Sequence, residues 1–215
     1  PDEAAELYRD VIKQFGKDLV GQEKGRVLWR FGESLRQAGE LGFGAIYISE
    51  EMGGINLGRL ESALIFEALS YGCPSTAAFI SVHNMASWMI DKFGGDEIKQ
   101  RYLPSLVGME KLGSYCLTEP SSGSDAAALR TTARLEGDHY VVNGTKQFIT
   151  GGGVNDYYVT MVRTGDNGAK GITCLVIEKE WDGVSFGANE KKLGWNSSPT
   201  AQVQMQRMNA DGSLA

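Results

Sequence analysis

His139-Tyr140-Val141-Val142-Asn143-Gly144-Thr145-Lys146-Gln147-Phe148-Ile149-Thr150 consists of two short β-rich runs on either side of Asn-Gly. Asn-Gly between two such runs is the strongest short-range signal for a two-residue hairpin, because both central residues of a type I′ turn need positive φ. The stretch therefore predicts a hairpin turning at 143–144. Strand alternation would then place Phe148 and Thr150 on one face. Outward from this unit, 157–163 and 172–178 read as further strands, with weaker ones at 184–186 and 201–206, separated by glycine, asparagine and aspartate. Regular short strands of this kind predict a small antiparallel β-barrel or sandwich over residues 112–215.

Before about residue 111 the period changes. Leu7, Val11, Ile12 and Phe15, then Val27, Leu28, Phe31, Leu35 and Ala38, recur at helical spacing. Residues 60–71 carry Leu60, Leu64, Phe66 and Leu69 with little polar face, which predicts a central helix. Pro74 sits where a first helical turn tolerates proline, and 77–93 is mostly apolar. Residues 96–106 form a covering helix that Pro104 should end or kink. The fold class expected is α+β: an all-α domain over residues 1–111, then the β domain over 112–215.

Composition narrows the function. The 215 residues carry a net charge of -6, with 42% hydrophobic and 22% charged residues, and the pI is near 5.1. An acidic chain lacks the basic face that replaces counterions on nucleic acid. No apolar run is long enough to span a bilayer. Cys73, Cys116 and Cys174 are odd in number and show no C-x-x-C spacing, so they are read as buried thiols of a reducing compartment rather than disulfides or zinc ligands. The chain opens Pro1-Asp2-Glu3 without methionine, as a processed or trimmed start would.

Two segments carry candidate chemistry. Tyr115-Cys116-Leu117-Thr118-Glu119-Pro120-Ser121-Ser122-Gly123-Ser124-Asp125 reads as a strand entering a loop rich in hydroxyls and small residues. A flat ligand or a phosphate can approach such a main chain closely, with Thr118 and Ser124 as hydroxyl donors. The alternative is an ordinary Ser/Thr or Asx turn with Ser124 or Asp125 as a cap. Phe148 and Thr150, followed by Gly151-Gly152-Gly153, offer a ring and a hydroxyl to a planar heterocycle; equally, Phe148 is core and Thr150 an unremarkable strand residue.

Taken together, Y-C-L-T-E-P-S-S-G-S-D and N-G-T-K-Q-F-I-T-G-G resemble the paired flavin-binding signature of the acyl-CoA dehydrogenase family. Leu41-Gly42-Phe43, Glu51-Met52-Gly53-Gly54, Phe66-Glu67-Ala68-Leu69 and Lys170-Gly171-Ile172 are similar to other family positions. Stretches 80–85, 88–91 and 194–197 look most like a member acting on short, branched acyl chains. The resemblance implies FAD as cofactor, held by Tyr115, Cys116, Leu117, Thr118, Gly123 and Ser124 on one side and Phe148, Ile149 and Thr150 on the other. Ser124 would also touch the substrate's pantetheine arm. It further implies an acyl-CoA substrate, an electron-transfer flavoprotein as acceptor, a homo-tetramer when complete, and a mitochondrial matrix or bacterial cytoplasmic location. The family's catalytic glutamate lies in a C-terminal helical bundle that this sequence does not reach, so no catalytic residue is expected here and the chain alone should be inactive.

Rival readings explain less. Gly42-Phe43-Gly44 lacks the third glycine of a dinucleotide fingerprint and stands in the helical half. His83 and His139, the only histidines, occur in neither G-x-S-x-G nor Cys-His context. A non-catalytic fragment or interaction module of the same fold, and a flavin oxidase or monooxygenase built on it, stay open as alternatives.

Overall fold

The computed structural model describes residues 24–210, with side chains defined from residue 32 to residue 206. The apolar spacing at Leu7 to Phe15 lies outside the described residues, as do the side chains of Val27, Leu28 and Phe31. Among the described residues four α-helices precede the sheet: α1 (Lys24–Glu40), α2 (Arg59–Gly72), α3 (Pro74–Phe93) and α4 (Asp96–Val107). Seven strands follow: β1 (Gly113–Cys116), β2 (Thr132–Glu136), β3 (His139–Thr150), β4 (Tyr157–Arg163), β5 (Ile172–Glu178), β6 (Val184–Phe186) and β7 (Thr200–Ala210).

Helix α3 is the hub. It opens on Pro74 in its first turn, where the missing N–H costs no bond. One side joins Phe79 and Ile80 to Leu35, Ala38, Phe43 and Ile46. The other joins Ala86 and Ile90 to Ile98, Tyr102, Leu103 and Leu106 of α4 and to Val159 and Val176 of β4 and β5. Helices α3 and α4 thus cover one face of β4 and β5. The opposite face belongs to a second core, with Cys116, Ala133, Val142, Ile149, Tyr158, Leu175, Ile177 and Val203.

One helix expectation needs correction, and of the two outcomes expected at Pro104 the structure excludes an end there. Helix α2 is peripheral, with Leu60 71% and Leu64 57% exposed. Its Ile65, Phe66 and Leu69 stripe packs on the core while the Leu60 and Leu64 stripe faces outward; a sequence period shows that residues are apolar, not what covers them. Helix α4 runs on past Pro104 to Val107. Proline removes one backbone donor, and the fully buried Leu103 and Leu106 on either side hold the turn in place.

The sheet runs β1-β4-β2-β3-β7-β6, with β5 on the other edge of β4. Most pairs are antiparallel, as expected, but β1 pairs with β4 in parallel, from Gly113↔Tyr157 to Cys116↔Thr160, and β2 meets β4 in parallel at Thr132↔Arg163. The sheet is therefore mixed. Parallel pairs need a long crossover, which the segment 117–131 and the β2–β3 hairpin provide.

The predicted hairpin also moves. β3 is one continuous strand through Asn143-Gly144, and the turn lies at Gly137-Asp138, where Glu136 pairs with His139 and Gly137 has φ 71°. Gly144 is needed for close approach instead: a Cβ there would collide with Thr131. The strand shifts register against β7 between Val142 and Gly144, where its ladder with β2 ends at Thr132↔Asn143. Strand β7 runs to Ala210, pairing Asn209 with Val141, so the stretch from Met205 belongs to the sheet, with the register shift falling between Met205 and Met208.

Candidate functional site

The two candidate segments meet. The Ser114 hydroxyl donates to Thr150 O (2.7 Å), Gln147 N donates to Thr118 O (2.8 Å), and Lys146 Nζ donates to Leu117 O (3.1 Å). The end of β1 is thereby zipped to the end of β3, although the two strands share no regular ladder. Asn155 braces the junction from below, its amide donating to Gly113 O (2.9 Å) and Ser114 Oγ (3.0 Å). Tyr158 closes the glycine turn, its hydroxyl donating to Gly151 O (3.2 Å) and accepting from Gly153 N (3.1 Å).

A buried ion pair lies behind the zipper. Lys146 has no exposed side-chain surface, and its ammonium donates to Glu119 Oε1 at 2.8 Å. The same carboxylate accepts Arg130 N (2.6 Å) and Thr131 N (2.9 Å). Burial pushes the Glu119 carboxyl upward, but these donors outweigh it and hold the group below the usual carboxylate range. Glu119 is consequently a tethered anion, not a free base.

Phe148 owes its position to a bulge. Between Lys146↔Val203 and Ile149↔Ala201, β3 spends one more residue than β7, and Phe148 takes φ 58°, in the left-handed region. Its ring is 59% exposed, Ile149 points into the β core, and Thr150 is half-buried. Phe148 and Thr150 thus share the outward side through a bulge rather than by simple alternation. A bulky residue held in a strained conformation with its ring in the open is the kind of outlier from which a binding role is inferred. Among the described residues the Thr118, Ser124 and Thr150 hydroxyls make no hydrogen bond.

The remaining predicted positions divide by role. Tyr115 is half-buried on the helix-facing side, and Cys116 is core, its thiol pushed up to about 12 by burial. Leu117 and Thr118 are half-buried, while Gly123 and Ser124 are exposed at the lip of the loop. Neither Ser124 nor Asp125 forms a side-chain cap; the turn is closed by Glu119 N to Ser122 O (2.9 Å) and Ser122 N to Glu119 O (3.1 Å). Cys73 and Cys174 are only partly buried, against the expectation for all three thiols. Sequence reasoning missed Ser114, Glu119, Lys146 and Asn155. A lysine inside a β run and a glutamate in the partner motif were the available signal.

Open hollows lie elsewhere among the described residues. One of about 520 Å³ in the helical half is lined by Tyr47, Leu57, Arg59, Ser81, Met85 and Trp88. Another of about 580 Å³ lies by Leu129 and Arg130, where the Arg163 guanidinium is occupied by the carbonyls of Ala127, Leu129, Asp166 and Gly168. Among the described residues no three metal-ligating side chains cluster, and no helix is long and apolar enough to cross a membrane.

Family models match almost the whole chain: "Acyl-CoA dehydrogenase, N-terminal domain" over residues 2–110 and "Acyl-CoA dehydrogenase, middle domain" over residues 114–208. The chain is 54% identical over 171 residues to the mitochondrial isobutyryl-CoA dehydrogenase of Bos taurus, covering 80% of this chain and 41% of that protein. It is 56% identical over 167 residues to the one of Dictyostelium discoideum, covering 77% and 40%. Among solved structures, an acyl-CoA dehydrogenase complexed with FAD from Bacillus anthracis superposes with a TM-score of 0.85 at 34% identity, covering 99% of this chain and 37% of that one. The chain spans about two fifths of the length of these relatives.

Proposed function

This chain belongs to the acyl-CoA dehydrogenase family, and from that premise we propose that it supplies the flavin-facing surface of a FAD-dependent dehydrogenase of short, branched acyl-CoA thioesters such as isobutyryl-CoA. The observation that carries the reading is the zipper, which sets the Thr118 main chain beside the exposed Phe148 ring and the unengaged Thr150 hydroxyl. Backbone groups at 115–118, the lip at Gly123-Ser124 and the 148–150 bulge fit a planar, polar-edged ring system. When bound, FAD supplies the hydride acceptor for the substrate's β carbon. Phe148, Ile149 and Thr150 would hold one side of the ring system, Phe148 by its exposed aromatic surface, Ile149 from the core and Thr150 with a hydroxyl dipole that would favour the charge developing on reduction. Ser124 would reach toward the substrate's pantetheine arm.

Removing the α proton needs a positioned carboxylate, and we assign that role to no residue of this chain, Glu119 being already engaged. Residues 1–111 and 112–215 are taken as the helical and β domains. An electron-transfer flavoprotein is the acceptor that the family resemblance implies, in a homo-tetramer; the mitochondrial relatives favour the matrix in a eukaryote, the cytoplasm being the bacterial equivalent.

Titration of the 215-residue chain with FAD, followed by flavin fluorescence, tests the reading. Thr150→Val keeps the shape and deletes the hydroxyl, and is expected to weaken binding by roughly 0.5–1.5 kcal/mol. Equal affinity and equal flavin reduction potential for both proteins would remove Thr150 from the site. With isobutyryl-CoA added anaerobically, the oxidised flavin band of this chain should persist; rapid bleaching would reveal a base among its own glutamates.

A further inference from the structure

A loop of more than a dozen residues separates β1 from β2, and its lip, Gly123-Ser124, is exposed. A loop of that length ordinarily samples many conformations. This one is closed at its base by a single carboxylate. Glu119, near its start, accepts the amides of Arg130 and Thr131 at its end. Lys146 then fastens the closed loop to β3, gripping Glu119 and Leu117 O together. Lys146 stands two residues before Phe148 and at the last regular pair before the bulge, opposite Val203.

An ion pair with both partners buried is a poor device for stability alone, because desolvation consumes most of the attraction and apolar replacements are often as stable. What it does supply is one geometry: the ammonium must stand where two acceptors converge, and the carboxylate where three donors do. Resting on the flavin reading above, we propose that Glu119 and Lys146 are positioning residues for the cofactor. They fix the 117–124 main chain and the Phe148 bulge at one spacing, so that both sides of the flavin site are set before it binds. Neither side chain touches the ring in this account; they act through Leu117, Arg130 and Thr131.

The test uses the 215-residue chain with Lys146→Met, Glu119→Gln and the double substitution. Four quantities are read: FAD affinity, the resolved shoulder of the bound flavin's visible band, the unfolding temperature, and amide exchange at Arg130 and Thr131 without FAD. Lys146→Met is expected to lose affinity by about tenfold or more, the range typical of residues that orient direct ligands. It should also blur the shoulder and speed exchange at both amides. The double variant discriminates. Removing both charges relieves the lone buried anion, so its unfolding temperature should recover much of the loss. Methionine at 146 still donates to neither Leu117 O nor residue 119, so affinity and shoulder should stay degraded. Recovery of unfolding temperature, affinity and shoulder together would show a structural role only and overturn the proposal, as would wild-type affinity and spectrum in Lys146→Met. Should Lys146→Met not fold, the double variant decides by itself. If the unmodified chain binds no FAD, the functional reading fails, and amide exchange then judges the loop separately: wild-type protection at Arg130 and Thr131 in the double variant overturns the positioning claim.

Discussion

The helical half and the sheet half solve one problem in different ways. Each has irregular backbone that must be satisfied away from water. In the helical half the fully buried agents are neutral, the Asp91 carboxylate that accepts Ser49 N being only partly buried. Asn84 on α3 accepts Ile46 N (2.7 Å) and donates to Phe43 O (2.6 Å) and Ile80 O (3.0 Å), which holds the loop after α1. His83 beside it accepts Gly113 N at Nδ1 (3.0 Å), so its proton sits on Nε2 and goes to Leu106 O (3.0 Å). In the sheet half neutral Ser114, Asn155 and Tyr158 act beside a buried pair of ions, Glu119 and Lys146. A neutral knot loses little when desolvated and welds one helix to its neighbours. An ionic knot is costly if broken and imposes a narrower geometry, and it is found at the proposed flavin loop.

Breaking the ionic knot should therefore do the most damage. Lys146→Met leaves a buried carboxylate without its counter-ion and is expected to destabilise by about 3–5 kcal/mol, read as a lower urea midpoint at unchanged slope. A loss under about 1 kcal/mol would mean that water reaches Glu119 and that the contrast with the helical half is false. Asn84→Leu has similar volume but orphans Ile46 N and Phe43 O, at about 2–3 kcal/mol in the same measurement. If it matched or exceeded Lys146→Met, the neutral knot would be the stronger of the two.

His83 separates the halves by pH. Burial drives its pKa down from 6.5 to about 4, with the Leu106 carbonyl only partly opposing this. In the unfolded chain the ring takes a proton near pH 6.5, and in the folded protein it resists until about 4. Between those values the unfolded state binds more protons, so stability rises with pH and is lost as pH falls through that window. From pH 7 to pH 5 the loss should be about 2 kcal/mol. Glu119 contributes with the same sign but lower, since its folded pKa lies below 4.5. The difference between wild type and His83→Gln isolates the histidine; an unchanged slope in that variant would assign the effect elsewhere.

These contrasts also show where the sequence was readable. Strands β4, β5 and β6 could be placed to the residue because apolar runs bounded by Gly, Asn and Asp leave little choice. The hairpin could not. Asn143-Gly144 carries the local signature of a turn, but Gly144 is there for Thr131, a neighbour that the chain meets only in the folded sheet. The parallel β1–β4 pair was hidden for a similar reason, because residues 112–131 contain nothing that dictates strand direction. At the site, the two segments were found through their resemblance to a family, whereas the pair behind them was not. Lys146 reads as a solvated strand lysine until Glu119 is known to lie within reach.

The smallest expected effect on stability belongs to Phe148, and it sharpens the distinction between holding the site and touching the ligand. The residue sits at φ 58° and is 59% exposed. Substitution by asparagine, which tolerates the left-handed region, relieves about 1 kcal/mol of backbone strain. The same change gives up the part of the ring that is buried, worth up to about 2 kcal/mol at 25 cal/mol/Å². The two terms oppose each other, so Phe148→Asn should unfold within about 1 kcal/mol of wild type, well short of Lys146→Met. FAD affinity should nevertheless fall by roughly tenfold, because a stacked aromatic contact is worth about 0.5–1.5 kcal/mol beyond area. Lys146→Met is expected to lower both quantities and Phe148→Asn only the second. Chemical denaturation and FAD titration on the same preparations check this. A Phe148→Asn chain that keeps full FAD affinity would show that the exposed ring is not a flavin contact, and the bulge would then need another explanation.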